Sequence, residues 1–310
     1  MTELSIIIVN YFTEEHIINC IKSISDTFFN IDYEIIVVDN GTRNSINFKE
    51  QLGKFQKVSY YQLDYNYGFG YACNKGTEKA KGHTYLFLNP DITVTKGAID
   101  NLYEFIMKKE DAGFVTGVLI DEIGELQYFY NNFPRLSWEF KEAFGIGVTG
   151  AIKKLNSIDD IANKKCFRID WAHGACLMIK SEIFKKTRGF DENIFLYYED
   201  VDIQKQCSDL GYNNYCIPYS QFIHYTRSSV RSSEGTRIYY FYLHRGKLYY
   251  MKKYFPVWKN LLVRMFYIIG FSSKIILLPF RGKYAGNKFF MVKIYSLVLS
   301  VYLNLKTKYK

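Results

Sequence analysis

The sequence predicts an open, doubly wound, mostly parallel α/β sheet followed by a basic helical extension. Three observations carry this. Short runs of consecutive apolar residues alternate with segments of helical periodicity through the N-terminal third. The connections between them are short, as crossover units require. Charge is segregated: from Thr236 onward there are 15 Lys or Arg and no Asp or Glu, whereas the first 235 residues hold 25 basic and 31 acidic side chains.

The elements follow in order. Leu4–Asn10 (LSIIIVN) reads as a strand buried on both faces, and Glu14–Ser25 places Ile17, Ile18, Ile21 and Ile24 at helical spacing. Glu34–Asp39 (EIIVVD) is a second buried strand, closed by the polar turn Asn40-Gly41-Thr42. Val58–Leu63, a helix over Tyr71–Ala80, the strand Thr84–Leu88, a helix over Gly97–Lys108 and a strand near Phe114–Ile120 continue the alternation. Gly124–Lys165 mixes Gly, aromatic and charged residues without a clean period and reads as a hairpin and a mobile loop. Strand-like Arg168–Lys180, helical Glu199–Leu210 and strand-like Asn213–Pro218 close the body. Pro256 and Pro279 divide the tail into three helices. The expected domains are 1–235, with halves at about 1–120 and 121–235, and 236–310.

Composition bounds the partners. Hydrophobic residues at 48% supply a core, and aromatics at 18% are abundant. Tyr suits carbohydrate and membrane boundaries, although genomic base composition accounts for its excess equally well. Six cysteines without zinc-like or CxxC spacing read as reduced core thiols. No secretory signal is expected at the N-terminus, and no window reaches the 18 or so uncharged apolar residues of a spanning helix. The body is therefore expected to be soluble.

Ligands of an open α/β sheet bind beyond the carboxyl ends of its strands. Those ends read Asn10-Tyr11, Asp39-Asn40, Asn66-Tyr67-Gly68-Phe69-Gly70 and Asn89-Pro90-Asp91. Any one of them could be a turn or cap; four on one rim favour a ligand. A dinucleotide fits poorly, because Cys73 stands where the third glycine of the fingerprint belongs and the first turn has no glycine. A P-loop is absent. Further on, Glu199, Asp200 and Asp202 open a helix, where the dipole favours acids but capping needs fewer of them. His224 ends a short strand-like run and could join Asp91 on a hard or borderline cation such as Mn²⁺ or Mg²⁺.

These pieces together resemble family 2 glycosyltransferases of the GT-A fold, a Rossmann-like sheet, and especially the bacterial rhamnosyltransferase-like branch. The matching stretches are SIIIVNYF, IIVVDNGT, NYGFGYACNKG, LFLNPDI, WAHGACLMIKSEIF, GFDENIFLYYEDVDI and the final His of QFIH, in that order over about residues 4–255. The resemblance implies that Asp39 hydrogen-bonds the donor pyrimidine, with Asn10 and Tyr11 framing the nucleotide. Asn66, Phe69 and Asn74 would line the nucleotide and donor sugar. Asn89 and Asp91 occupy the place of the metal-binding DxD, with Asn at the first acid, and His224 matches a further metal ligand. Asp200 matches the catalytic base, Glu199 its acidic neighbour on the acceptor side, and Trp171, His173 and Gly174 the acceptor wall. Arg227 and Ser228 stand where relatives contact pyrophosphate with a Gly/Ser pattern.

The implied reaction is an inverting transfer from a nucleoside-diphosphate sugar, dTDP-rhamnose or a UDP-hexose, to a glycan or polyprenyl-linked glycan in surface polysaccharide synthesis. The basic aromatic tail lacks any nucleic-acid-binding motif, and Val257–Phe280 reads as an in-plane helix for an anionic membrane surface, placing the protein at the cytoplasmic face. A packed subdomain or a homo-oligomer contact is the other reading of the tail. Two alternative functions are a nucleotidyltransferase, whose glycine-rich, lysine-bearing first loop is missing, and a non-catalytic scaffold, which would tolerate loss of Asp91 or Asp200.

Overall fold

A computed structural model describes residues 2–27, 31–42, 46–146, 165–225, 232–280 and 287–305. The chain folds into two compact units. The first is built on the strands β1 (Leu4–Asn10), β2 (Tyr33–Asp39), β3 (Val58–Gln62), β4 (Thr84–Leu88), β5 (Ile92–Val94), β6 (Ala112–Ile120), β7 (Tyr130–Asn131), β8 (Phe167–Ile169), β9 (Trp171–Ala172), β10 (Cys176–Lys180) and β11 (Asn213–His224). Its main sheet has the order β3-β2-β1-β4-β10-β6-β11-β5, with β8 paired to β11. A separate ribbon pairs β7 with β9.

The order 3-2-1-4 is parallel throughout, as the alternating sequence predicts. The second half is mixed. β10 runs antiparallel between β4 and β6, and β11 is parallel to β6 but antiparallel to β5 and β8. Because side chains alternate along a strand, β1 sends Leu4, Ile6 and Ile8 to one core and Ile7 and Val9 to the other. The first core is covered by α1 (Glu14–Asp26), α2 (Ile46–Leu52) and α4 (Ala98–Lys108); the second by α3 (Phe69–Thr77), α6 (Ser181–Lys186) and α7 (Glu199–Asp209). Burial on both faces is why these strands lack an apolar/polar alternation.

Several elements depart from the sequence reading. The helix α2 lies where only a turn and a connection were expected. Gly124–Lys165 holds β7 and a helix, α5 (Leu136–Phe144), rather than only a hairpin and loop; residues 147–164 of that stretch lie outside the described residues. The strand expected at Asn213–Pro218 continues to His224, with an irregularity between Cys216 and Gln221 that absorbs Pro218. Of the six free cysteines, five are buried and Cys166 is partly exposed.

The second unit is helical: α5, α8 (Ser233–Tyr254), α9 (Val257–Leu277) and α10 (Lys288–Tyr302), with breaks at the two prolines. The short run Leu196–Tyr198 also belongs to it. Tyr197 and Tyr198 both take left-handed backbone angles, φ 63° and 76°. Gly246 of α8 lets the Tyr197 carbonyl approach to where a β-carbon would stand only 2.2 Å away. One expectation is corrected here. α9 is long and apolar enough to cross a membrane by length and composition, with a mean hydropathy of 1.4. The sequence criterion missed it because Lys259, Arg264 and Lys274 interrupt the run. Its inner face, with Val263, Tyr267, Gly270 and Phe271, is buried.

A charged knot holds this unit. Lys247 on α8 is buried and its ammonium lies 3.2 Å from Glu139, 2.6 Å from Glu142 and 2.7 Å from the Tyr267 hydroxyl, which itself donates to Glu139 at 2.8 Å. Burial alone would lower the Lys247 pKa, but Glu139 and then Glu142 outweigh it and hold the pKa above its usual value. Removing Lys247 strands the buried Glu139 carboxylate without its counter-charge. Lys247→Met is therefore expected to destabilise the fold by about 3–5 kcal/mol, and the pair Lys247→Met/Glu139→Leu by clearly less. Denaturant unfolding of the three proteins checks this, and equal losses in both variants would refute it.

Candidate functional site

The rim at the carboxyl ends of β1, β2 and β4 is built from side chains that mostly hold one another. Asn10 and Asp39 face each other in register on β1 and β2 and are fully buried. Asn10 donates its side-chain amide to Asp39 Oδ2 at 3.1 Å, and its Oδ1 accepts from the Thr13 amide. Asp39 also accepts from the Thr42 amide and hydroxyl and from the Tyr60 hydroxyl at 2.9 Å. Both carboxylate oxygens are thus engaged within the protein. What faces solvent is the turn they organise: Tyr11 and Phe12 are exposed and edge-to-face, with centroids 4.8 Å apart, and Phe12 is left-handed at φ 57°.

The loop after β3 is ordered by Asn40, a residue the sequence reading named at the strand end and in the turn after it without giving it this role. Its amide donates to Asn66 Oδ1 at 2.9 Å and to the Gly68 carbonyl, and it accepts from the Tyr67 amide. Gly41 and Gly68 both have positive φ, and a β-carbon on either would collide with backbone at under 2.5 Å. Gly68 allows the Phe69 amide to reach the Phe195 carbonyl at 3.0 Å. Asn74 is committed elsewhere: it donates to the Phe190 carbonyl and accepts from the Phe190 amide, clamping α3 to the Gly189-Phe190 turn. Tyr65, Tyr67 and Tyr71 form a chain of ring contacts at this loop.

The later half of the site is drawn to the same rim by β10. The Asn89 amide donates to the Ala175 carbonyl at 2.9 Å, and the neighbouring Gly174 amide donates to Asp200 Oδ2 at 2.9 Å. Asp200 Oδ1 accepts from the Val201 amide. Gln204, which sequence reasoning missed, grips both backbone groups of Ala172 and the Asp200 carbonyl, fixing α7 against β9. Trp171 donates its indole N–H to the Asn132 carbonyl and lies 6.1 Å from the His173 ring. Arg227 and Ser228 lie outside the described residues.

Burial raises the Asp200 pKa, against the pull of His173 and its backbone donors. Burial, and then the charge of Asp200, raises the Glu199 pKa well above the carboxylate range; its Oε2 is enclosed without a hydrogen bond. His173 is exposed. Desolvation by the surrounding protein lowers its pKa, Asp200 raises it and His224 lowers it further. Asp200, His173 and His224 therefore share one electrostatic neighbourhood.

Antiparallel pairing of β5 with the end of β11 sets His224 opposite Ile92, beside Asp91, and the Tyr225 amide donates to the Asp91 carbonyl. His224 Nε2 and Asp91 Oδ1 stand 3.4 Å apart, and that buried oxygen makes no hydrogen bond. Among the described residues no group of three or more His, Cys, Asp or Glu converges on a metal. The pair fits a divalent ion that takes its remaining ligands from phosphate and water, as Mg²⁺ and Mn²⁺ sites on nucleotides do.

A family profile for glycosyl transferase family 2 matches residues 5–187, more than half of the chain. The chain belongs to that family. It is a glycosyltransferase of glycan or polysaccharide biosynthesis, and its rhamnosyltransferase-like character is carried by its relatives. Rhamnosyltransferase WbbL of Escherichia coli (strain K12) is 27% identical over 236 residues, covering 73% of this chain and 85% of that protein. An N-acetylglucosaminyl-diphospho-decaprenol L-rhamnosyltransferase of Mycobacterium tuberculosis (strain CDC 1551 / Oshkosh) is 22% identical over 212 residues, covering 63% of this chain and 67% of that protein. The fold matches the mannosyltransferase PcManGT from Pyrobaculum calidifontis, solved with GDP-Man and Mn²⁺, at a TM-score of 0.59 and 11% identity, over 97% of this chain and 86% of that one. The sheet with its flanking helices is thus a GT-A fold.

The Glu199 environment has a measurable consequence. A carboxyl whose folded pKa is raised contributes stability that is present below its unfolded pKa and lost as pH rises through the folded one. Glu199→Gln removes that loss. Its melting temperature should equal wild type near pH 4 and exceed it at pH 8 by at least about 2 °C, the shift given by roughly 1 kcal/mol in a protein this large. A gap independent of pH would show that Glu199 is not held protonated.

Proposed function

We propose that the protein is an inverting glycosyltransferase that moves a sugar from a nucleoside-diphosphate donor to a hydroxyl of a glycan or polyprenyl-linked acceptor. The observation that carries this is the placement of Asp200: a buried carboxylate held by the Gly174 amide, on the segment that Ala175 ties to the Asn89 strand end. The two bacterial relatives, both rhamnosyltransferases, favour rhamnose as the transferred sugar, which we read as dTDP-rhamnose with UDP-hexoses next, and the mycobacterial relative favours a lipid-diphosphate acceptor.

In this reading Tyr11 and Phe12 stack against the base, while Asn10 and Asp39 act from below by holding that turn. Asn66 and Phe69 shape the wall of the donor sugar, which Asn74 braces through Phe190. Trp171, His173, Gly174 and Glu199 border the acceptor. Asp200 accepts the proton of the acceptor hydroxyl as its oxygen bonds to the anomeric carbon and the bond to the diphosphate breaks on the opposite face. Asp91 and His224 would hold Mn²⁺ or Mg²⁺, with Asn89 beside them. Such an ion offsets the charge that develops on the leaving diphosphate.

The tail is read as a surface contact. Trp258, Leu261, Met265, Ile269 and Ile276 are exposed and fall on one stripe of α9, while its opposite stripe is buried. A helix whose inner face is packed and whose outer face is apolar lies in a membrane interface rather than across it, and the basic excess suits anionic lipid at the cytoplasmic face.

The test is transfer by purified protein from a panel of nucleotide sugars. Asp200→Asn should lose transfer by at least about 10²-fold, with donor affinity within a few-fold of wild type. Wild-type activity should rise with pH through a pKa above the ordinary carboxylate range and cease in EDTA. Near-normal turnover by the Asn variant removes the base assignment, and full activity in chelator removes the metal. For the tail, full-length protein should sediment with anionic liposomes at low salt, release in part at high salt and ignore neutral vesicles. A chain ending near Lys253 that sediments equally well would refute membrane contact through α9.

A further inference from the structure

We infer that Gln127 is a positioning residue for the metal ligand His224, holding its imidazole in the tautomer that turns the Nε2 lone pair toward Asp91. The inference rests on the reading of Asp91 and His224 as holders of a divalent ion and adds to it a residue outside every matching motif.

Gln127 is itself fixed. The chain turns back after β6 through a tight loop in which Asp121 Oδ1 accepts from the Ile123 and Glu125 amides and Gly124 takes φ 82°. The returning strand bonds Gln127 N–H to the Leu119 carbonyl at 2.9 Å. Leu119 pairs with Phe222 of β11, so Gln127 sits next to the end of β11. There its side chain makes two contacts with a single residue. Its amide N–H donates to the His224 carbonyl at 2.6 Å, and its Oε1 lies 2.8 Å from His224 Nδ1.

The first contact decides the second. A carbonyl oxygen only accepts, so the NH₂ end of the amide must face it, and Oε1 must face the ring. Oε1 is also only an acceptor, so Nδ1 carries the hydrogen. In neutral imidazole the other nitrogen is then an unprotonated ligand atom, and it points at Asp91 Oδ1, itself enclosed without a hydrogen bond. Two acceptor atoms 3.4 Å apart, one of them enclosed without a hydrogen bond, repel each other unless a cation lies between or beside them. Fixing the distal nitrogen of a ligating histidine by a hydrogen bond is how proteins orient such rings.

The experiment measures Mn²⁺ binding by loss of the free-ion EPR signal, alone and with saturating UDP or dTDP, so that activity is not the readout. Gln127→Leu, which keeps the bulk but offers no acceptor, should weaken binding by about 10–100-fold. Gln127→Glu keeps an acceptor for Nδ1 but cannot donate to the His224 carbonyl, and should bind Mn²⁺ no more weakly than wild type. In a His224→Ala background, Gln127→Leu should add no further loss. If Leu binds like wild type, or Glu weakens as much as Leu, Gln127 only staples the hairpin to β11 and the inference falls. Wild-type protein that binds no Mn²⁺ under either condition would overturn the metal reading itself, a result separable from the other two.

Discussion

The site depends on one constraint: β10 is inserted antiparallel between β4 and β6. That insertion lays residues 173–175 along the end of β4, so backbone groups of two neighbouring residues serve two different partners. The Ala175 carbonyl takes the Asn89 amide, and the Gly174 amide takes the Asp200 carboxylate. Asn89 begins the tripeptide that ends in Asp91, and Asp200 lies in the first turn of the acidic helix more than a hundred residues later. Without the antiparallel strand the two acids would belong to separate parts of the chain.

Carboxylates kept from water at this rim and in the helical unit are handled in three ways. Asp39 is saturated by Asn10, Thr42 and Tyr60, and therefore serves as a scaffold group. Lys247 and Tyr267 neutralise Glu139 in the knot of the helical unit, where loss of either charge would be costly. Glu199 and Asp200 are adjacent and buried, with raised pKa values that favour one proton being retained. In the proposed reaction the last arrangement is the one that would move a proton. A carboxylate with two backbone donors remains a usable base while its neighbour is pushed toward the neutral acid, which is the division of roles that two close acids impose on each other.

The parallel half of the sheet was legible because burial on both faces leaves an unbroken apolar run, as in SIIIV and EIIVVD. In the mixed half the strand-like stretches were legible, but not how they divide or pair. β8, β9 and β10 are short, and direction of pairing has no period in a sequence. α5 carries Trp138, Phe140 and Phe144 beside Glu139 and Glu142, a pattern that makes sense only once Lys247, over a hundred residues away, is known to sit against those acids. The site residues divide similarly. Asp91, His224 and Asp200 stand at element ends where patterns and motifs point. Asn40, Gln127 and Gln204 act through backbone groups of distant residues, and a lone amide in a sequence carries no sign of which carbonyl it will meet.

The saturation of Asp39 changes how specificity for the base would arise. A carboxylate already accepting from Thr42, Asn10 and Tyr60 has little capacity left for a pyrimidine N–H, and the Tyr60 hydroxyl, whose pKa is raised by burial and by Asp39, stays a donor to it. To bond a base directly, Asp39 would have to release one of these partners, leaving it unpaired in a buried setting at a cost of about 1–3 kcal/mol. Discrimination then falls to the shape of the exposed turn it supports. Phe12 holds a left-handed conformation that is strained for an aromatic residue, and Thr13 is pinned to Asn10 on its far side. A turn held at both ends presents its rings at a fixed angle, so in the proposed reading it would select a flat ring by stacking geometry before any polar edge is read.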